Sequence, residues 1–122
     1  MHNLNQFIAP ALAALCLAGC GAGSSSLTPA QSRALTPADP DLAALYTASC
    51  KACHTVPASR APMTGSARAW GVRMNKGMDR LLENTISGYK GMPPMGLCSD
   101  CSESDLRDLI SFMATPPQPA DS

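Results

Sequence analysis

The 122-residue chain has few aromatic residues: one Trp, two Tyr and two Phe, only 4% of the whole. Such side chains alone build a thin core, and a domain this small commonly needs a covalent staple or a large buried ligand. Net charge is also missing, because nine basic and nine acidic residues cancel. That excludes the basic excess of a nucleic-acid binder. The chain has no apolar run of spanning length: "FIAPALAALCLAG" falls well short of the ~18–20 residues a membrane helix needs. Strand-period alternation and internal repeats are absent too, so the reading is all-α. What the chain has in excess is cysteine, six in all.

Residues 1–19 contain no Asp, Glu, Lys or Arg and end in the small residues of "LAGC", residues 17–20. Small residues suit a signal peptidase pocket. The Leu-Ala-Gly-Cys order resembles the lipobox of bacterial lipoproteins. The resemblance implies that residues 1–19 are removed and that Cys20 is lipidated, anchoring the protein to a bacterial membrane with its domain facing the periplasm. Gly21, where some bacteria place an inner-membrane retention Asp, favours the outer membrane. An exported domain meets an oxidising compartment. Residues 20–38, rich in Gly, Ser, Ala and Pro, read as a flexible tether. Residues 115–122, "TPPQPADS", read as a disordered Pro-rich tail. The folded domain is expected at 39–114.

Four short helices are expected there. One starts at Asp39 as N-cap with Pro40 at the first helical position, and carries Leu42, Leu45, Tyr46 and Ser49 or Cys50 at helical spacing. A second runs from a Ser66 cap to a stop at Gly77. A third presents Leu81, Leu82 and Ile86 and ends at Gly88. The last opens on Ser102, three residues before Asp105 in a variant capping box, and buries Leu106, Leu109, Ile110 and Met113.

The first helix ends in Cys50-Lys51-Ala52-Cys53-His54. Thiols at i and i+3 lie on one side of a helical turn and reach two substituents of one flat ring. His54 then projects an imidazole toward the ring's centre. This is the motif of c-type haem attachment: thioethers from Cys50 and Cys53, and His54 on the iron. A buried porphyrin also supplies the core that the aromatics do not. The competing readings fit less well. A zinc site built with Cys98 and Cys101 has 44 residues between its pairs, against roughly 15–20 in ribbon-like sites. A redox dithiol wants a βαβ context. A structural Cys50–Cys53 disulfide leaves His54 unexplained.

A second iron ligand is sought in "GYKGMPPMG", residues 88–96. Met92 follows Gly91, which lets the backbone approach the ring, and precedes Pro93-Pro94, which stiffen it. A stiff loop suits a weak thioether ligand. Met63 and Met95 compete for the role, and an iron left open is the third possibility. Met74, Met78 and Met113 read as core fillers on helices.

The order of Cys-x-x-Cys-His, Ala61-Pro62, a helix bearing Trp70, Met92-Pro93-Pro94, Cys98-x-x-Cys101 and a final "DL..LISFMA" helix resembles cytochrome c5, a group of small monohaem c-type cytochromes. It covers about residues 41–114. The resemblance implies a cytochrome c fold, one haem c, His54/Met92 axial ligation and electron transfer without enzymatic turnover. It implies that the Pro62 carbonyl accepts from the other nitrogen of His54, that the Trp70 indole N–H donates to a haem propionate, and that Cys98 and Cys101 form a disulfide. One departure is visible. The family's two glycines after the histidine are here Pro57 and Arg60, so the loop must turn differently or hold Arg60 in a strained conformation.

Charge is unevenly spread. Residues 51–90 carry seven cations against Asp79 and Glu83, while 91–122 carry Arg107 against five acids. Lys51, Arg60 and Lys90 are expected to flank the haem edge and steer an acidic redox partner. The partners expected are a protein electron donor and acceptor and, through Cys20, a membrane. The protein itself is expected to be a monomer.

Overall fold

The computed structural model describes residues 26–118. The expected signal segment and the lipidation of Cys20 lie outside the described residues. Among those residues, no helix is long and apolar enough to cross a membrane. The described residues are helical, and among them strand pairing is limited to one isolated bridge between Tyr89 and Met92.

The four expected helices form where their caps place them. Asp39 accepts the Leu42 N–H at 2.9 Å and Pro40 opens α2 (Pro40–Leu45). The chain then widens into a π-helical stretch, Tyr46–Cys50, and tightens again into α3 (Lys51–His54). Wide turns of this kind recur at functional sites. Here the wide turn buries both Tyr46 and Cys50. Ser66 caps α4 (Ala67–Met74). Helix α5 (Met78–Ser87) begins at Gly77, which serves as its N-cap at φ +88°. The Ser102–Asp105 capping box opens α6 (Glu103–Ala114).

Helix α6 is the hub. Its stripe of Leu106, Leu109, Ile110 and Met113 is buried, each side chain contributing about 1.5–3 kcal/mol by leaving water. It packs against α2, α4 and α5. Tyr46 meets Phe112 edge-on, with ring centroids 5.0 Å apart. On α5, Leu81 and Leu82 are buried, while the third apolar position, Ile86, is 39% exposed. Thr85 stands four residues after Leu81 and three after Leu82, so it shares their face. It is buried with its hydroxyl donating to the Leu81 carbonyl at 2.8 Å.

The tether expected over 20–38 needs correction. Thr28 and Gln31 form a capping box that starts another helix, α1 (Pro29–Ala34). Ser32 and Pro37 are buried. A helix of six residues is unstable alone, so α1 owes its existence to packing on the domain. The tail begins later than expected as well. Thr115 donates its hydroxyl to the Ser111 carbonyl at 2.8 Å, and Pro117 packs beside Gly65.

Candidate functional site

The π-helical stretch and α3 deliver Cys50, Cys53 and His54 within one turn. Cys50 is buried and Cys53 exposed, and both thiols are free. Burial, helped by the neighbouring Cys53, pushes the Cys50 thiol up to about 11. Such a thiol is not itself an activated nucleophile, which needs a pKa brought down toward neutrality. Cys98 and Cys101 are joined in a disulfide between the Pro94–Leu97 turn and α6. That pairing removes two of the four sulfurs a zinc site would use. Among the described residues no three His, Cys, Asp or Glu side chains gather as a metal cluster.

His54 is buried at 6% exposure. Its Nδ1 lies 2.8 Å from the Pro62 carbonyl. A carbonyl only accepts, so Nδ1 carries the proton and Nε2 keeps its lone pair. Burial holds the imidazole below its ordinary pKa, and the Arg73 charge adds to this against the opposing Pro62 bond. The ring is therefore neutral at pH 7 and in the tautomer that ligates a metal. Trp70 stacks on it, with centroids 5.9 Å apart and planes 25° off parallel.

The Trp70 indole N–H donates to the Met63 carbonyl at 3.0 Å. The indole thus has a backbone partner here, where the resemblance implies a haem propionate. Tryptophan here fixes the loop beside the histidine, because its ring covers His54 while its N–H holds Met63.

The loop that carries Pro57 and Arg60 takes up a glycine-like backbone at only one of them. Pro57 opens a 3₁₀ turn, Pro57–Ser59, and Arg60 ends it in the left-handed region at φ 59°, ψ 9°. The conformation is the one glycine favours, and Arg60 holds it under strain.

Met92 sits where a tight turn closes. The Tyr89 N–H donates to the Met92 carbonyl at 3.0 Å, and the Met92 N–H returns to Tyr89 at 2.9 Å. Positive φ falls on Lys90, Met95 and Leu97, while Gly91 faces open space. Three strained non-glycine residues around one methionine mark a segment over-determined by its surroundings. Gly88, at φ +83°, is what lets the segment fold back. A Cβ there would stand 3.0 Å from the Pro94 nitrogen and 3.1 Å from the Met92 carbonyl. The Pro94–Leu97 turn also comes close to the Tyr46–Cys50 stretch, bringing the methionine segment to the cysteine-bearing one.

One residue beside the site carries no local sequence signal. Thr64 is fully buried. Its hydroxyl accepts from Tyr46 Oη at 2.9 Å, and its N–H donates to the His54 carbonyl at 2.7 Å. These partners are distant along the chain, so spacing does not reveal them.

Two free thiols and a neutral, oriented imidazole in one turn, next to a braced methionine segment in a small helical domain, fit a covalently held haem. The comparisons agree. The family described as Cytochrome C oxidase, cbb3-type, subunit III matches residues 37–113. Cytochrome c5 of Azotobacter vinelandii is 40% identical over 76 residues, covering 61% of this chain and 88% of that protein. Cytochrome c5 of Ectopseudomonas mendocina is 42% identical over 67 residues, 53% of this chain and 77% of its own. Cytochrome c-555 of Prosthecochloris aestuarii is 33% identical over 77 residues, 57% and 78% respectively. A chain in the crystal structure of an electron transfer complex of nitrite reductase with cytochrome c superposes with a TM-score of 0.55 at 33% identity, covering 62% of this chain and 93% of that one.

The chain belongs to this family of cytochrome c domains and is a small monohaem c-type cytochrome, similar to cytochrome c5. It carries one haem c, attached through Cys50 and Cys53, and works as an electron carrier.

Proposed function

We propose that His54 and Met92 would hold the haem iron and that the protein is an outer-sphere one-electron carrier, lipid-anchored at Cys20 and facing the periplasm. The observation that carries the ligand assignment is the Nδ1 bond to Pro62 at 2.8 Å, which leaves Nε2 as the free donor. When bound, the haem supplies the ferrous/ferric couple.

The chain's own residues do the rest. The Pro62 bond orients the imidazole and raises its basicity. Trp70 and Tyr46, both buried, keep water from the histidine side. The reciprocal Tyr89–Met92 bonds and the seat at Gly88 hold the Met92 backbone still. A thioether so placed would stay put in either oxidation state, and electron transfer would need little reorganisation. No bond in a substrate is made or broken, so the reading is not that of an enzyme.

Docking is assigned to the corner next to Met92. Lys76, Arg80, Asn84 and Tyr89 line a shallow cleft of about 320 Å³, and the Lys90 ammonium lies 5.5 Å from the Tyr89 ring centroid. Ile86 and Tyr89 are exposed. Apolar contact inside a cationic rim suits an acidic redox protein. This moves the expected patch: Lys90 belongs to it with Lys76 and Arg80, whereas Lys51 is half-buried on α3.

The test is a Met92→Ala variant examined with carbon monoxide after reduction. Binding by the variant and refusal by the wild type support a closed His/Met iron. Binding by the wild type favours the alternative, a haem-based ligand-binding or peroxidase-like protein with a labile methionine. The anchor is tested separately, by the mass of the mature N-terminus.

A further inference from the structure

The N-terminal helix is seated on the peptide that holds His54. Ser32 is fully buried and donates its hydroxyl to the Thr64 carbonyl at 2.8 Å, across 32 residues of sequence. Next to that carbonyl is Gly65, at φ +83°. A Cβ there would fall 2.6 Å from Leu35 Cδ1 and 3.4 Å from Leu27 Cδ2. The strap formed by residues 27–35 therefore lies directly on the α-carbon of Gly65, where only hydrogen leaves room.

The segment Pro62–Gly65 under the strap is bonded at every residue. Pro62 accepts from His54 Nδ1 at 2.8 Å, and Met63 accepts from Trp70 at 3.0 Å. Thr64 donates its N–H to the His54 carbonyl at 2.7 Å, and Gly65 donates to the Met113 carbonyl at 2.7 Å. His54 is thus held by this segment at both its backbone and its ring. The buried Thr64 carbonyl is secured from the other side by Ser32. Without that hydroxyl it would be a buried acceptor with no partner, a state the fold relieves by letting the segment move.

We infer that Ser32 is a positioning residue for electron transfer: through Thr64 it clamps the Pro62–Gly65 segment and so sets the strength of the Pro62–His54 bond. The inference rests on His54 being the proximal ligand. A clamped Nδ1–H···O=C bond makes the imidazole more basic and stabilises the oxidised iron. A slack one does the reverse. The stretch that precedes the domain is then part of the redox centre's scaffold.

The experiment compares holoprotein Ser32→Ala with wild type, using Arg33→Lys, exposed on the same helix, as the matched control. Three readouts apply: trypsin cleavage after residue 33, exchange of the His54 Nδ1 proton by NMR of the reduced protein relative to the amides of α6, and the midpoint potential. In Ser32→Ala, cleavage accelerates, the Nδ1 proton exchanges at least tenfold faster relative to the α6 amides, and the potential rises. Arg33→Lys keeps the wild-type exchange ratio and potential, and its cleavage is not compared because the substitution changes the residue trypsin reads. Faster cleavage with an unchanged exchange ratio or an unchanged potential makes the strap a mere cover and overturns the proposal. Unchanged cleavage shows that the hydroxyl does not hold the strap and overturns it too. A wild-type Nδ1 resonance outside the range of an iron-bound imidazole under a haem ring current would refute the ligand assignment itself, independently of Ser32.

Discussion

His54 and Pro62, eight residues apart, meet through an Nδ1–H···O=C bond of 2.8 Å. That bond closes the loop that follows the haem-attachment turn. It fixes the tautomer of the buried ring and its rotation about Cβ–Cγ. The loop between them meets this geometry with Arg60 at φ 59°.

Left-handed backbone costs a non-glycine residue roughly 1–2 kcal/mol, and glycine gives back roughly 0.4–1 kcal/mol through the unfolded chain. Arg60→Gly is therefore expected to raise the unfolding free energy by about 0.5–1 kcal/mol. Denaturant titration of the holoprotein measures it. A destabilised variant would show that the Arg60 side chain contributes more than its backbone costs.

Gly88 governs the methionine side. In Gly88→Ala the new methyl meets Pro94 and the Met92 carbonyl, both backbone and neither free to turn away. The Met92 segment is expected to shift and free the iron. The reduced variant should bind carbon monoxide, with a loss of roughly 1–3 kcal/mol in stability. A variant that folds normally and refuses the gas would place the sixth ligand elsewhere.

The helices were legible because their start signals are local. Asp39-Pro40, Ser66 and the Ser102–Asp105 box each act within three residues, and each caps the helix it announced. Helix α1 was hidden for the opposite reason. Thr28 and Gln31 make a capping box, but one in a Ser- and Pro-rich stretch whose helix exists only against Gly65. The partners of Trp70 and Thr64 are likewise set by tertiary packing. On α5, Leu81 and Leu82 centre the buried face, so that Thr85 falls within it and Ile86 lies at its margin. Within the site, the Cys50, Cys53 and His54 turn is written in five consecutive residues. The clamp that orients it is assembled from three separate parts of the chain.

The last helix carries a pH-dependent cap. Asp105 accepts from the Ser102 hydroxyl at 2.6 Å and from the Ser102 N–H at 2.8 Å, and these bonds hold its carboxyl below the usual range. A group depressed in the folded state contributes stability above its unfolded pKa, near 3.9, and loses it as pH falls through the folded value. Wild type should thus be more stable than Asp105→Asn at pH 6, with the gap shrinking below about pH 4. Melting curves across that range check it. Parallel pH profiles would contradict it.

Charge reversal tests the docking corner. Lys76→Glu with Lys90→Glu is expected to slow electron exchange with an acidic redox protein about tenfold or more at low ionic strength, with the difference fading as salt screens it. Stopped-flow rates across a salt series provide the measurement. Equal rates for wild type and variant at low salt would move the docking surface elsewhere.

The most direct test of the whole account is the absorption spectrum of the reduced wild-type protein, made in a host that matures haem c, before and after carbon monoxide is added. The account expects the bands of a six-coordinate haem c, unchanged by the gas. A protein without a Soret band, or one whose bands shift when the gas is added, would contradict it.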